Sequence, residues 1–407
     1  MKKENLRKYA KLAVEVGVNV QEGQLLVINS PVECKEFTRM LVEAAYARKV
    51  ENVIVRWNDD ILNKMYFENV SEATLQEVPN YVVEQFKYIV EKGAAVISIS
   101  APTPGLLKHI DAKRLQLNAI ATQKAVDFYR KHMMSNGSQW CVIAYPTDVW
   151  AKKVFKGANA FEKLLESILI AARVTDDNDP VNEWHNHMDT LARHNAMLNK
   201  YNFESLHFKN SLGTNLTVGL VEKHIWGGGG ETAKNKIYFA PNIPTEETFT
   251  MPHKLKINGK VVATKPLNYQ GKLIEDFWLE FKDGKVVNYD AKKEKAALKS
   301  LLEFDEGSSY LGEVALISHH SPISDMNILF YNTLFDENAS CHLALGNAYT
   351  MNIEGGHEMS EKELLAKGYN KSMTHVDFMF GSHDMRIVGT THDQKQIIVF
   401  ENGDFVF

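Results

Sequence analysis

The sequence predicts an α/β N-terminal domain with a mainly parallel sheet, followed by a β-rich α+β C-terminal domain. In the first 180 residues, short and wholly apolar runs alternate with helical stretches, the pattern of strands buried on both faces by crossover helices. Beyond them, strand-like segments alternate apolar with polar residues and are separated by Gly, Asn and Asp turns. A chain of 407 residues also exceeds one ordinary hydrophobic core, so two domains are expected, 1–180 and 181–407.

Leu6, Tyr9, Ala10, Ala13 and Val14 recur at helical spacing before a turn at Glu22-Gly23. Leu25-Leu26-Val27-Ile28 is the first buried strand, and helical periodicity runs from Glu33 to Ala47. Val53-Ile54-Val55, Ala94 to Ile99 and Trp140 to Ala144 repeat the theme, the last after an amphipathic segment from about Ala112 to His132. Asp176-Asp177-Asn178-Asp179-Pro180 breaks the rhythm and is suited to start a helix from Val181 to Lys200, since Asp and Asn accept from free N–H groups and Pro fits a first turn. Ser205 to Phe208, Leu216 to Leu220 and Phe277 to Phe281 then read as antiparallel strands. Asp283-Gly284 is a hairpin turn, and one helix is expected from Ala291 to Leu302.

Hydrophobic residues make up 44% and charged residues 24%, which supports substantial cores. A net charge of −5 carries no signature of nucleic acid or of an anionic membrane as partner. Cys34, Cys141 and Cys341 are far apart, without disulfide-framework or metal-binding spacing, so reduced thiols are expected. Met1 to Asn5 lead into a charged amphipathic stretch, and no apolar run approaches the roughly 20 residues needed to cross a bilayer. The expected location is cytoplasmic.

Chemistry concentrates in the second half. Thr245-Glu246-Glu247 sits in a proline-framed loop, where at most one of two adjacent carboxylates faces a given site. Glu313 follows Gly312 and opens a strongly apolar strand, where a buried carboxylate needs a partner. Glu337 and His342 lie five apart around small residues. His375 and Asp377, two apart in a strand, project from one face. Each motif alone is also compatible with solvated turns or plain hydrogen-bonded couples. Together they supply four carboxylates and two imidazoles without a thiolate cluster, a set that suits Zn, Mn or Co in a hydrolytic two-metal site.

At these residues the chain resembles the aminopeptidase T and aminopeptidase S family of dinuclear metallopeptidases over essentially its whole length. The resemblance is strongest at Gly227 to Gly230, Asn242 to Glu247, Leu311-Gly312-Glu313, Asp336-Glu337-Asn338 with His342, Leu345 to Tyr349, and His375 to Met379. It implies release of N-terminal residues from peptides with a free N-terminus, with broad side-chain tolerance. It further implies two divalent ions (Zn, Co or Mn) on Glu247, Glu313, Glu337, His342, His375 and Asp377, with Glu313 bridging. Tyr349 matches the family's active-site tyrosine, and a homodimer is implied. This chain departs from the family at Thr248 and Met251, where Val and Ala are usual, and at Ser382-His383-Asp384-Met385, where a Pro-containing acidic stretch is usual.

Other features are discounted. His185 and His187, two apart on a helix, diverge in direction. His319 and His320 are expected as one buried and one exposed strand residue. Gly227 to Gly230 lacks the Lys-Ser/Thr ending of a phosphate loop and is expected as a flexible loop near the active site. No Gly-x-Gly-x-x-Gly follows the first strand, so no nicotinamide cofactor is expected. The competing functions are another two-metal hydrolase, an amidase or a phosphoesterase, and a non-catalytic metal-stabilised binding protein.

Overall fold

The computed structural model describes residues 3–407. The chain divides into two compact units, one running to His187 and including Gly230–Pro244, the other formed by Met188–Gly229 and Thr245–Phe407. The division is therefore not one cut, because a 15-residue excursion (244 − 230 + 1) returns to the first unit.

In the first unit, strands β1 (Leu25–Pro31), β2 (Asn52–Asn58), β3 (Ala95–Ser100) and β4 (Trp140–Ala144) are parallel, in the order β2-β1-β3-β4. These are the apolar runs of the sequence. Leu26, Val27 and Ile28 are wholly buried on both faces of the central strand β1. The Lys35–Ala47 helix inserts Phe37, Leu41 and Ala45, one turn apart each time. Phe37 stacks between Tyr9 and Tyr145, with ring centres 5.2 and 4.9 Å away. The returning segment covers the free edge of β4: Val142 N–H donates to Pro241 O at 2.7 Å, and Ile243 N–H to Val142 O at 3.0 Å. An otherwise open edge is thereby paired.

The amphipathic segment from Ala112 folds as two helices, Ala112–Ala125 and Asp127–Met134. The Asp-Asn-Pro cluster starts the Pro180–Tyr201 helix, Asp179 Oδ1 accepting from Val181 N–H at 3.1 Å.

The second unit holds a nine-stranded sheet built from antiparallel pairs and a separate four-stranded sheet. In the larger sheet, Lys272–Lys282 and Lys285–Lys293 form the hairpin expected at Asp283-Gly284, whose φ angles of +50° and +86° suit a two-residue primed turn. The helix after it spans Lys295–Leu302, shorter than the expected Ala291–Leu302. Ala291 and Lys293 pair with Phe277 and Glu275 in the strand ladder, and Glu294, at φ +56°, ends the strand. Ladder pairing overrides helical propensity there. The apolar faces of both sheets meet in one core, with Phe208, Leu216, Phe277 and Phe400 from one and Val314, Leu343, Leu345 and Phe378 from the other.

Candidate metal centre

The four-stranded sheet runs His375–Met379, His342–Gly346, Leu311–Leu316, Thr248–Thr250, every neighbour antiparallel. Its register decides which side chains meet. Glu313 lies opposite Ala344, which lies opposite Asp377; Ala315 lies opposite His342, and Gly346 opposite His375. Cross-strand partners share a face and alternate residues repeat it. One face therefore carries Glu313, His342, His375 and Asp377, with the small Ala315, Ala344 and Gly346 leaving room between them. The other face supplies Val314, Leu316, Leu343, Leu345 and Phe378 to the core. Phe249 pairs with Ala315, so Glu247, two residues earlier, falls on the site side. Adjacency alone leaves the two carboxylates undivided; the register puts Glu247, the one the resemblance implies as a ligand, on the site side. The neighbouring Glu246 is anchored through its N–H, which donates to Asn338 Oδ1 at 2.8 Å.

Five of the six expected ligands form two triads with one shared member. Glu247, Glu313 and His342 offer ligand atoms within 4.8 Å of one another, and so do Glu313, His375 and Asp377. Glu313 Oε1 is 3.2 Å from His342 Nε2, while its Oε2 is 3.7 Å from His375 Nε2. His342 Nε2 is also 3.3 Å from Glu247 Oε2, and His375 Nε2 is 3.3 Å from Asp377 Oδ1. The outward nitrogens lie against backbone carbonyls, His375 Nδ1 2.7 Å from Asn347 O and His342 Nδ1 3.4 Å from Ser340 O. Nδ1–H donation to those carbonyls aims both Nε2 atoms at the carboxylates, toward which they carry a proton in the absence of metal and would offer a lone pair to a bound ion.

Glu337 belongs to neither triad. It is half-buried and lines a cavity of about 210 Å³ with His375, Asp377, Tyr269 and Tyr331. Tyr349 stands at the same face, its ring centre 4.8 Å from that of His375 and 6.3 Å from that of Phe249.

The electrostatics describe a cluster short of positive charge. Burial, reinforced by Glu247 and Asp377, pushes the Glu337 carboxyl well above its usual range. Burial likewise raises Glu313. Burial alone would lower the histidines, yet Glu247 and Glu313 hold His342 well above its ordinary value, and Asp377 lifts His375 to about 9. Asp377 is desolvated but lowered by His375. Its Oδ1 is buried without hydrogen-bond geometry to any donor among the described residues, although it forms a close ion pair with His375. Four carboxylates carry a formal −4, which two divalent cations balance. Donor type, shared Glu313 and the undonated Asp377 oxygen all fit a pair of ions.

His185 and His187 are in neither triad, the first exposed and the second half-buried with its ring 5.4 Å from that of Trp184. The glycine run packs against the Glu247 segment. Gly227 exchanges two backbone hydrogen bonds with Phe249, and a Cβ on Gly228, at φ +128°, would stand 2.2 Å from Glu247 O. His319 and His320 follow their strand in a bend, half-buried and exposed respectively, where one buried and one exposed strand residue were expected. Asn347 is not among the expected site residues, though it lies in the Leu345 to Tyr349 stretch that carries the resemblance. Besides its carbonyl contact with His375, its Oδ1 accepts from Tyr369 O–H at 3.0 Å and Ser372 N–H at 3.2 Å. The only sequence signal for it is its place between Gly346 and Tyr349.

A family model described as thermophilic metalloprotease (M29) matches residues 2–405. Aminopeptidase AmpS of Bacillus subtilis is 46% identical, with 99% of each chain covered. Aminopeptidase 2 of Geobacillus stearothermophilus is 45% identical, covering 99% of this chain and 98% of its own. The structure of wild-type AmpT from Thermus thermophilus superposes with a TM-score of 0.91 at 34% identity, all of both chains covered. A dioxygenase from Pseudomonas putida shares the fold alone, with a TM-score of 0.54 at 12% identity.

Proposed function

The chain belongs to the M29 metalloprotease family, and we propose that it is an aminopeptidase releasing N-terminal residues from peptides with a free N-terminus, with broad side-chain tolerance. Two divalent ions (Zn, Co or Mn) are assigned to Glu247, Glu313, Glu337, His342, His375 and Asp377. The observation that carries this is Glu313, whose two oxygens face two different imidazoles in two different triads. Such a pair of ions lowers the pKa of a shared water and polarises a carbonyl.

The protein's own part is positional. Asn347 O and Ser340 O fix the two imidazole rings. The apolar reverse face of the sheet holds the strands in register, so Glu313 and Asp377 stay on one line. Burial and the surrounding carboxylates raise the Tyr349 phenol far above neutral pH. It therefore remains a hydrogen-bond donor, suited to the oxygen that gains charge as the scissile carbonyl is attacked, a contact often worth about 3 kcal/mol. The substrate's free amine is assigned to an ion or to a spare carboxylate of the site; the sequence offers Glu246 for this, but the register turns that residue away from the Glu247 side.

We extend the proposal to a cytoplasmic location, supported by three free and buried cysteines, and to a homodimer, which sedimentation would test. No helix among the described residues is long and apolar enough to cross a membrane. The functional test is peptide hydrolysis after chelation and after adding back Zn, Mn or Co. Cleavage of unblocked but not N-acetylated peptides, restored by metal, is expected. Cleavage of phosphate esters or simple amides in preference to peptides would replace the proposal with another hydrolase. Chelation that lowers only the melting temperature would favour a non-catalytic binding protein.

A further inference from the structure

The loop Ser382-His383-Asp384-Met385 brings His383 beside His319, whose chain neighbour is His320. The His319 ring centre is 5.3 Å from that of His320 and 6.1 Å from that of His383. Two imidazoles on one tetrahedral ion, with metal–nitrogen bonds of about 2.0–2.1 Å, place their ring centres roughly 5 Å apart. Carboxylates flank the group. Asp325 Oδ1 is 3.5 Å from His320 Nδ1, and Asp404 Oδ1 accepts from His320 N–H at 3.3 Å.

The three segments are tied by their backbones. His319 N–H donates to Gly403 O at 2.8 Å, and Gly403 N–H to Met385 O at 2.9 Å. A Cβ on Gly403, at φ +81°, would sit 2.7 Å from Ser382 O and 2.9 Å from His319 Cβ, so these chains approach as closely as glycine permits. Asp384 fixes the His383 loop by accepting from Ser211 N–H and Ser382 O–H, both at 2.8 Å. Hydrogen bonds join the backbones of the three segments, while His320 and His383 are exposed and His319 is half-buried. The ring nitrogens of the three histidines do not meet at one point in these rotamers, so the half-buried His319 as well as the exposed His320 and His383 must turn for them to do so.

We propose that His319, His320 and His383, with Asp325 or Asp404 as a further ligand, form a separate binding site for a transition-metal ion. Imidazole nitrogens with a carboxylate select Zn(II), Ni(II) or Cu(II) over Mg or Ca. Bound metal would pin the C-terminal hairpin that carries Gly403 to the loop after Leu311–Leu316. This site contains no residue of the Glu313 cluster and is independent of the function proposed for that cluster.

The test is equilibrium titration of the full-length protein with Zn(II) or Ni(II), comparing wild type with His383→Gln and with His319→Gln. Cu(II) electron paramagnetic resonance on the same samples counts coordinating nitrogens. Wild type is expected to bind one equivalent more than either variant, and Cu(II) in that extra site to show at least two imidazole nitrogens. Peptide hydrolysis should be equal in all three proteins. His383→Gln alters an exposed side chain, so an unchanged melting temperature without metal confirms that variant's fold. Equal stoichiometry in wild type and in His383→Gln, or an extra Cu(II) signal without imidazole nitrogens, would overturn the proposal.

Discussion

The inner strands of the two four-stranded sheets are largely buried, and they put that burial to different uses. In β1, Leu26, Val27 and Ile28 are wholly buried and aliphatic on both faces. Leu311–Leu316 is buried at every position, yet one of its faces carries Glu313. Aliphatic burial stabilises by about 25 cal/mol per Å², whereas a buried carboxylate costs several kcal/mol unless compensated. The parallel sheet therefore supplies stability. The site sheet gives up stability on one face for a place that gains it back from cations.

That contrast makes Glu313→Gln the most revealing substitution. Turnover is expected to fall at least ~10³-fold, with metal retention weakened in both triads. In chelated protein the same change should leave the melting temperature no lower, since burial together with Asp377 and Glu247 disfavours the Glu313 carboxylate in spite of its two imidazoles. Ile28→Ala in β1 should do the opposite: about 2–5 kcal/mol less stability, with activity per folded molecule kept. If the two variants lost stability alike without metal, the division between the sheets would fail.

Tyr349→Phe sharpens the contrast within the site. A loss of roughly 10²-fold in kcat is expected with metal content unchanged, because the phenol is assigned to the substrate oxygen and not to an ion. Reduced metal content in this variant would show that Tyr349 acts on the ligands instead. A smaller effect is expected from Gly228→Ala, whose new Cβ must displace Glu247 O from 2.2 Å. Metal affinity should drop about 10-fold through movement of that segment, read by competition with a chelator. Unaltered affinity would mean the loop yields without moving Glu247.

The smallest effect concerns pH. Asp384 is held down to about 2 by hydrogen bonds from Ser211 and Ser382. Its folded pKa lies below the unfolded value near ~3.9. Its contribution is thus complete above that unfolded value and is lost as pH falls toward about 2. Asp384→Asn should melt about 2 °C below wild type at pH 6, with the gap narrowing below pH 4. A gap independent of pH would assign the loss to packing rather than charge.

The sequence made the parallel sheet legible because apolar runs such as Leu25 to Ile28 stand out by composition alone. The segments around Glu247, Glu313, His342 and His375 could be named, but their convergence depends on register. Spacing alone does not choose between Glu246 and Glu247, whereas the pairing of Phe249 with Ala315 puts Glu247 in line. Ala291 to Lys293 looked helical because their pairing with Lys272–Lys282 is non-local. The return of Gly230–Pro244 to the first unit leaves no local mark, since an edge strand is completed by hydrogen bonds that any sequence can make. Asn347 escaped notice because its contact with His375 runs through a backbone carbonyl.

The most direct measurement is anomalous diffraction from crystals loaded with Zn or Co, collected at the metal edge. Two peaks flanking the Glu313 carboxylate are expected, one beside His342 and Glu247, the other beside His375 and Asp377. A single peak at Glu313, or peaks that leave Glu313 without metal, would contradict the shared-carboxylate centre on which the account rests.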